Sequence, residues 1–147
     1  MIRKISLITT ILTSFITVTS IIIVAIMLCY AFPILMHAEG SGFHGITAIF
    51  SILLAFVPGI VSIIYFIPSI VGLNTLKKTN NVENSKIFIF DSIIKMSFNA
   101  FLLFATSYEI INSRSFEWIV LLATFVLLTI EILSLAELIL AIKMRHL

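Results

Sequence analysis

Four long apolar stretches, separated by short polar segments, follow one another along the chain. No charged residue occurs between Ile5 and Met36, and none occurs between Gly40 and Leu76. A membrane-spanning helix needs about 20 predominantly apolar residues. The pattern therefore predicts four transmembrane helices, over about residues 5–32, 45–76, 87–111 and 116–142.

Prolines and flanking charges refine the first two predicted helices. We expect the first to end near Pro33, and the second contains Pro58 and Pro68. Neighbouring helices can satisfy the carbonyls that proline leaves unpaired in a membrane. The basic residues before Ile5 leave a cleaved signal peptide as an alternative. Signal cores are about 7–15 residues long and end in small residues, so the longer first stretch favours a retained helix.

Composition supports this interpretation and excludes several classes of protein. Apolar residues make up 61% of the chain and charged residues 11%, whereas soluble domains are about 45–50% apolar and about 25% charged. A soluble enzyme or a nucleic-acid-binding module is therefore excluded, and the single Cys29 cannot form an internal disulfide. The content of Ile, Lys and Asn suggests a bacterial source and hence a plasma-membrane location.

Basic residues are distributed unevenly between the two sides of the predicted spans. One side carries only Arg114, and Lys95 lies within a span. The other side carries Arg3, Lys4, Lys77, Lys78, Lys86, Lys143 and Arg145. Because cytoplasmic segments are enriched in Lys and Arg, both termini are predicted to be cytoplasmic. The predicted fold is an all-α, integral membrane four-helix bundle, with residues 1–147 forming one domain.

Charged residues inside the predicted spans are the most informative feature of the sequence. The third helix carries Asp91, Lys95 and Asn99 at intervals of four, which places them on one face. The fourth helix carries a second polar sector formed by Glu131, Ser134 and Glu137. A charged residue at the centre of a span costs about 2.5–3.5 kcal/mol on insertion scales. We therefore expect the two sectors to face each other.

The depths of these residues agree with that expectation. If helices three and four form an antiparallel hairpin turning near Arg114, the position numbers of facing residues add up to about 228, because both helices rise equally per residue. Asp91 then lies opposite Glu137, and Lys95 lies between Glu131 and Glu137. The sequence predicts that four charged residues, Asp91, Lys95, Glu131 and Glu137, lie together in the cytoplasmic half of the protein.

Two roles for this cluster remain open at the sequence level. Three acids sharing one base in a poorly solvated site favour partial protonation of one carboxyl, and Glu131, nearest the middle of its helix, is our candidate. A carboxyl that gains and loses a proton suits a transporter. The alternative is a structural ion-pair network that fixes how the helices pack.

Small and hydroxyl-bearing residues form stripes on the first two helices. Helix one carries Ser6, Thr10, Thr13, Thr17 and Ser20, and helix two carries Ala48, Ser51, Ala55, Gly59, Ser62, Ser69 and Gly72. Small residues allow close approach of helices in lipid, so we interpret both stripes as contact surfaces. A polar path lined by the hydroxyls is the alternative.

The predicted outer loop holds the residues with metal-ligand chemistry. His37, Glu39 and His44 are weak candidates, because imidazole and carboxylate bind zinc but their spacing matches no established motif. We expect no cofactor, no catalytic site and no nucleic-acid partner. The sequence favours a non-enzymatic multi-pass membrane protein that acts through helix contacts, as an accessory, assembly or immunity-type subunit. It would contact the lipid bilayer and either a second copy or another membrane protein. The alternative is a small proton- or cation-coupled transporter that uses the charged cluster.

Overall fold

The chain folds into four long helices in the part that the structure describes. The structure is a computed structural model, and it describes residues 1–36, 42–79, 84–112 and 117–146. The helices are α1 (Ile2–Met36), α2 (Phe43–Lys78), α3 (Ser85–Asn112) and α4 (Trp118–Arg145). All four are long and apolar enough to cross a membrane. The prediction of an all-helical chain with four span-length helices is confirmed.

Pro33 does not end the first helix, as the sequence suggested it would. Helix α1 continues through Pro33 to Met36, so the predicted end near Pro33 is wrong. Helix α2 includes Pro58 and Pro68, as the sequence predicted. A proline removes one backbone donor and crowds the preceding turn, but the apolar sequence on both sides of Pro33 is still helical. The predicted turn around Arg114 lies outside the described residues.

The chain divides into two compact units. The first unit comprises Met1–Thr13 and Ile67–Leu147, and the second comprises Ser14–Phe66. The first therefore contains the start of α1, the end of α2, and α3 and α4. The second contains the remainder of α1 and the larger part of α2. The expectation of a single domain over residues 1–147 stays a prediction.

Helices α3 and α4 pack against each other in antiparallel order within the first unit. The Asn99 side chain donates hydrogen bonds to the Leu127 carbonyl and to the Glu131 carboxylate. Nearer the other end of the pair, Phe88 of α3 packs with Ala141 of α4. These facing positions add up to about 228, as expected for two helices with equal rise per residue.

An apolar layer lies at the end of the first unit where α1 and α3 begin and α4 ends. Ile2 of α1, Phe88 of α3 and Ala141 of α4 are buried and form one cluster. Each lies four residues, or about one turn, from Ser6, Ser92 and Glu137 respectively, which are themselves fully buried. The layer therefore separates those polar residues from the nearby helix ends.

Gly72 of α2 provides room for a side chain of α1 in the first unit. A Cβ atom at Gly72 would collide with the Thr10 side chain, whereas one at Gly59 would lie 3.9 Å from a Val24 methyl group, an ordinary contact distance. Thr10 is 2% exposed, so it has little room to move away. The small residue at Gly72 is therefore required by the position of Thr10.

We expect Gly72→Ala to destabilise the protein by about 1–3 kcal/mol, because overpacking forces neighbouring atoms apart. Thermal unfolding in detergent micelles measures the effect. Gly59→Ala is the matched control on the same helix and should unfold close to the wild-type temperature. Equal unfolding temperatures for Gly72→Ala and wild type would contradict the proposed close contact.

Candidate functional site: a buried polar cluster

A buried ion pair lies within the first unit, next to the apolar layer of Ile2, Phe88 and Ala141. The Lys95 Nζ atom is 2.7 Å from Asp91 Oδ2, and both side chains are fully inaccessible. Their spacing of four residues brings both groups to the same face of α3. Burying two charges is unfavourable unless their remaining hydrogen-bonding capacity is satisfied, so the surrounding groups determine whether this pair is stable.

Helix α1 supplies those surrounding groups. Lys95 Nζ donates to Thr9 Oγ1 at 2.9 Å and to Thr10 Oγ1 at 3.0 Å, and the Ser6 carbonyl lies 3.4 Å away. The Ser6 hydroxyl donates to Asp91 Oδ2 at 2.8 Å. Both members of the ion pair are therefore hydrogen-bonded to the first turns of α1.

Helix α4 adds a second acid to the site. Glu137 is 0% exposed, its carboxyl lies beside Asp91 and Ser6, and its Oε2 atom is 4.0 Å from Lys95 Nζ. Neither Glu137 oxygen has a hydrogen-bond partner among the described residues, and the same is true of Asp91 Oδ1. We call Ser6, Thr9, Thr10, Asp91, Lys95 and Glu137 the polar cluster.

The structure divides the polar residues that the sequence singled out into two groups. Asp91, Lys95 and Glu137 lie together in the polar cluster. Asn99 and Glu131 form a separate pair one turn further along α3, with 2.7 Å between Asn99 Nδ2 and Glu131 Oε2. Glu131 is only half-buried. The deeply buried glutamate is therefore Glu137, and Lys95 is tied to Asp91 rather than to Glu131.

Ser134 belongs to neither hydrogen-bonded group. Its side chain is fully buried, one turn before Glu137, and its hydroxyl has no partner among the described residues. Its Oγ atom is therefore buried in the first unit without a hydrogen bond to any described protein group. Buried polar atoms of this kind are uncommon and point to an additional bonding partner or a role of their own.

The contribution of α1 was only partly visible in the sequence. Ser6 and Thr10 belong to the hydroxyl stripe that we interpreted as a contact surface, and Thr9 lies outside that stripe. Hydroxyls in helices commonly bond to their own backbone, and Thr9, Thr10 and Thr13 do so here. Thr9 and Thr10 at the same time accept from Lys95, a dual role that spacing alone does not reveal.

The structure does not describe the side chains of the three candidate metal ligands. His37 and Glu39 lie outside the described residues, and the side chain of His44 is not described either. Within the described ranges, no group of three or more His, Cys, Asp and Glu residues is placed to hold a metal ion.

Comparisons with known proteins add no family to this description. No protein-family model, no curated protein and no solved structure matches the chain. A sealed cluster that connects α1, α3 and α4 suits two chemical roles, namely a permanent cross-link between helices and a site that holds a proton.

Replacing Lys95 by Met should destabilise the protein strongly. The substitution keeps most of the side-chain volume but leaves two buried acids without a counter-charge, and breaking a buried pair in this way costs about 3–5 kcal/mol. Chemical or thermal unfolding in micelles measures the loss. The double variant Asp91→Asn with Lys95→Met should recover part of it, because it removes both charges of the pair.

Lys86→Met is the matched control for this prediction. Lys86 lies on the same helix but is exposed. Its replacement should therefore change the free energy of unfolding by much less than Lys95→Met does. Equal losses for the two single variants would show that the polar cluster does not stabilise the first unit.

Proposed function

We propose that the chain is a multi-pass integral membrane protein that acts without catalysis, by docking a transmembrane helix of a second copy or of another membrane subunit. The observation that carries this proposal is an apolar groove in the second unit whose lining includes the small residues Ala55 and Gly59. The described bonds of the polar cluster, in contrast, lie within the first unit.

Exposed apolar side chains support the membrane part of the proposal. Each helix presents large apolar residues outward, for example Phe15 at 69%, Ile63 at 70%, Phe104 at 74% and Ile119 at 82% exposure. Such a surface is unfavourable in water, whereas the apolar chains of lipids solvate it well. The excess of Lys and Arg at the helix ends near the termini supports cytoplasmic termini. The composition supports a bacterial plasma membrane.

The groove lies between α1 and α2 in the second unit and has a volume of about 280 Å³. Val24 and Leu28 of α1 form one wall, and Ala55 and Gly59 lie on α2 together with larger residues. Small residues let a neighbouring helix backbone approach closely, and such contacts drive helix association in lipid. An apolar groove with this lining therefore suits a transmembrane helix as its occupant.

Filling the groove should abolish docking. Gly59→Leu places a bulky side chain in the groove, so we expect loss of association. Cys29, the single cysteine, is exposed and follows the groove residue Leu28. A benzophenone maleimide attached to Cys29 in native membranes should form a photo-adduct with a second copy or a membrane subunit, and Gly59→Leu should reduce that adduct at least several-fold.

Gly45→Leu provides the control for added bulk on α2. Gly45 has no atom within 4 Å of its ideal Cβ position and does not line the groove, so this variant should retain the adduct. An adduct that survives Gly59→Leu, or that is lost equally in Gly45→Leu, would contradict docking in the groove. The mass of the adduct distinguishes a second copy from another subunit.

Proton- or cation-coupled transport through Asp91, Lys95, Glu131 and Glu137 is the second candidate function. The two unpartnered oxygens of Glu137 favour it, because an acid without fixed donors is free to exchange a proton. The complete burial of Asp91, Lys95 and Glu137 favours the docking function instead, because it separates the groups from an aqueous path.

Proton flux into liposomes separates the two functions. We expect purified protein to give no flux above that of empty liposomes under an imposed pH gradient. Flux above that level that Glu137→Gln or Glu131→Gln removes would overturn this expectation and identify a transporter, and the variant that removes it would identify the proton site. Glu131 is the matched acid on the same helix, since it is half-buried and already bonded to Asn99.

A further inference from the structure

The polar cluster contains one more acid than base. Its charged groups are Asp91 and Lys95 on α3 and Glu137 on α4. The residues that α1 contributes, Ser6, Thr9 and Thr10, are uncharged, and the contact from α2 to Thr10 is made at Gly72. With all three groups ionised the site would carry a net negative charge. An uncompensated charge in an apolar interior is strongly unfavourable.

Hydrogen-bond donors in the cluster are already committed. Lys95 has three N–H groups, and these have acceptors in Asp91 Oδ2, Thr9 Oγ1 and Thr10 Oγ1, all within 3.0 Å. The Glu137 carboxyl, at 4.0 Å, is too far to accept one of them. The ammonium group therefore neutralises Asp91 but leaves Glu137 without a donor.

The hydroxyl groups of α1 are committed as well. Thr9 and Thr10 both donate to the Ser6 carbonyl, and the Ser6 hydroxyl donates to Asp91 Oδ2. Ser6 also lies beside Glu137, but its single proton cannot serve both acids. An ionised Glu137 would consequently be a fully buried carboxylate with neither oxygen accepting a hydrogen bond from the described residues.

One proton resolves both the charge and the bonding. Glu137 lies beside Asp91, and Asp91 Oδ1 is also without a partner. A protonated carboxyl has an O–H group that donates, whereas two ionised carboxylates can only accept. A proton between the two acids would convert two unpaired acceptors into a donor and an acceptor, and it would bring the net charge of the cluster to zero.

A bound metal cation fits the same oxygens less well. The uncommitted oxygens are Asp91 Oδ1, Ser134 Oγ and the two of Glu137. Calcium takes six to eight oxygen ligands and magnesium requires about six in octahedral geometry, which is more than these residues supply. A neutral Lys95 fits no better, because loss of its proton would increase the negative charge beside Asp91 and Glu137.

We infer that Asp91 and Glu137 together hold one proton at neutral pH, shared between Asp91 Oδ1 and a Glu137 oxygen, so that the polar cluster is a neutral proton-binding site. This inference rests on the geometry of the first unit and is independent of helix docking in the second. The Asn99–Glu131 pair lies outside the shared-proton site, because Asn99 already supplies Glu131 with a donor.

Infrared spectroscopy of the protein in lipid bilayers tests the inference directly. The wild-type protein at neutral pH should show the carbonyl-stretch band of a protonated carboxyl. Labelling with ¹³C-glutamate or ¹³C-aspartate should shift that band. Absence of the band, or a band insensitive to both labels, would overturn the proposal without requiring any variant to fold.

Matched variants assign the band to the site. Glu137→Gln should remove it, because the amide has no carboxyl proton, and Asp91→Asn should remove it by leaving Lys95 free to pair with an ionised Glu137. Glu131→Gln should retain it. A band that persists in Glu137→Gln, or one that disappears in Glu131→Gln, would contradict the assignment.

The shared proton determines whether the stability of the protein rises or falls with pH. Unfolding exposes Glu137 to water and releases the bound proton near neutral pH, so the unfolded state binds fewer protons than the folded state. Stability should then decrease as pH rises. The wild-type unfolding temperature should fall between mildly acidic and alkaline pH, and the fall should be smaller in Glu137→Gln. Equal slopes would contradict the shared proton.

Discussion

The first unit depends on how a lysine ammonium is accommodated among apolar helices. Lys95 is 1% exposed, and nearly all of its binding partners must therefore come from the protein. Asp91 supplies the opposite charge from the same helix, and two hydroxyls of α1 complete the set. A charge in an apolar interior is tolerated only with such a complete set of partners. The requirements of Lys95 thus bring the start of α1 against α3.

Neighbouring features follow from the same constraint. Thr10 can reach Lys95 because Gly72 leaves space behind it. The layer of Ile2, Phe88 and Ala141 separates the cluster from the ends of its helices. Exclusion of water strengthens the bonds of Lys95 and, by the same physics, makes an unpaired acid unfavourable. Glu137 is affected by both, because it lies beside the Lys95–Asp91 pair and its oxygens have no hydrogen-bond partner among the described residues.

The four helices and part of the site could be predicted from the sequence. Apolar stretches define the four helices because length and composition suffice for that, although Pro33 did not end α1. Spacing by four puts Asp91 and Lys95 together, and equal rise puts Asp91 opposite Glu137. The choice between Glu131 and Glu137 depends on the rotation of α4 about its axis, which depth does not determine. The role of Thr9 depends on how α1 packs against α3, and the residues around Thr9 in the sequence do not indicate that packing.

The most direct test of the account is the state of the Lys95 side chain itself. Selective ¹⁵N labelling of lysine, with Lys95→Arg used for assignment, would resolve its signal by nuclear magnetic resonance in micelles or bilayers. The account predicts a charged ammonium whose protons exchange with water far more slowly than those of the exposed Lys86. An ammonium that exchanges as fast as that of Lys86, or a neutral amine, would contradict a buried ion pair that is inaccessible to water.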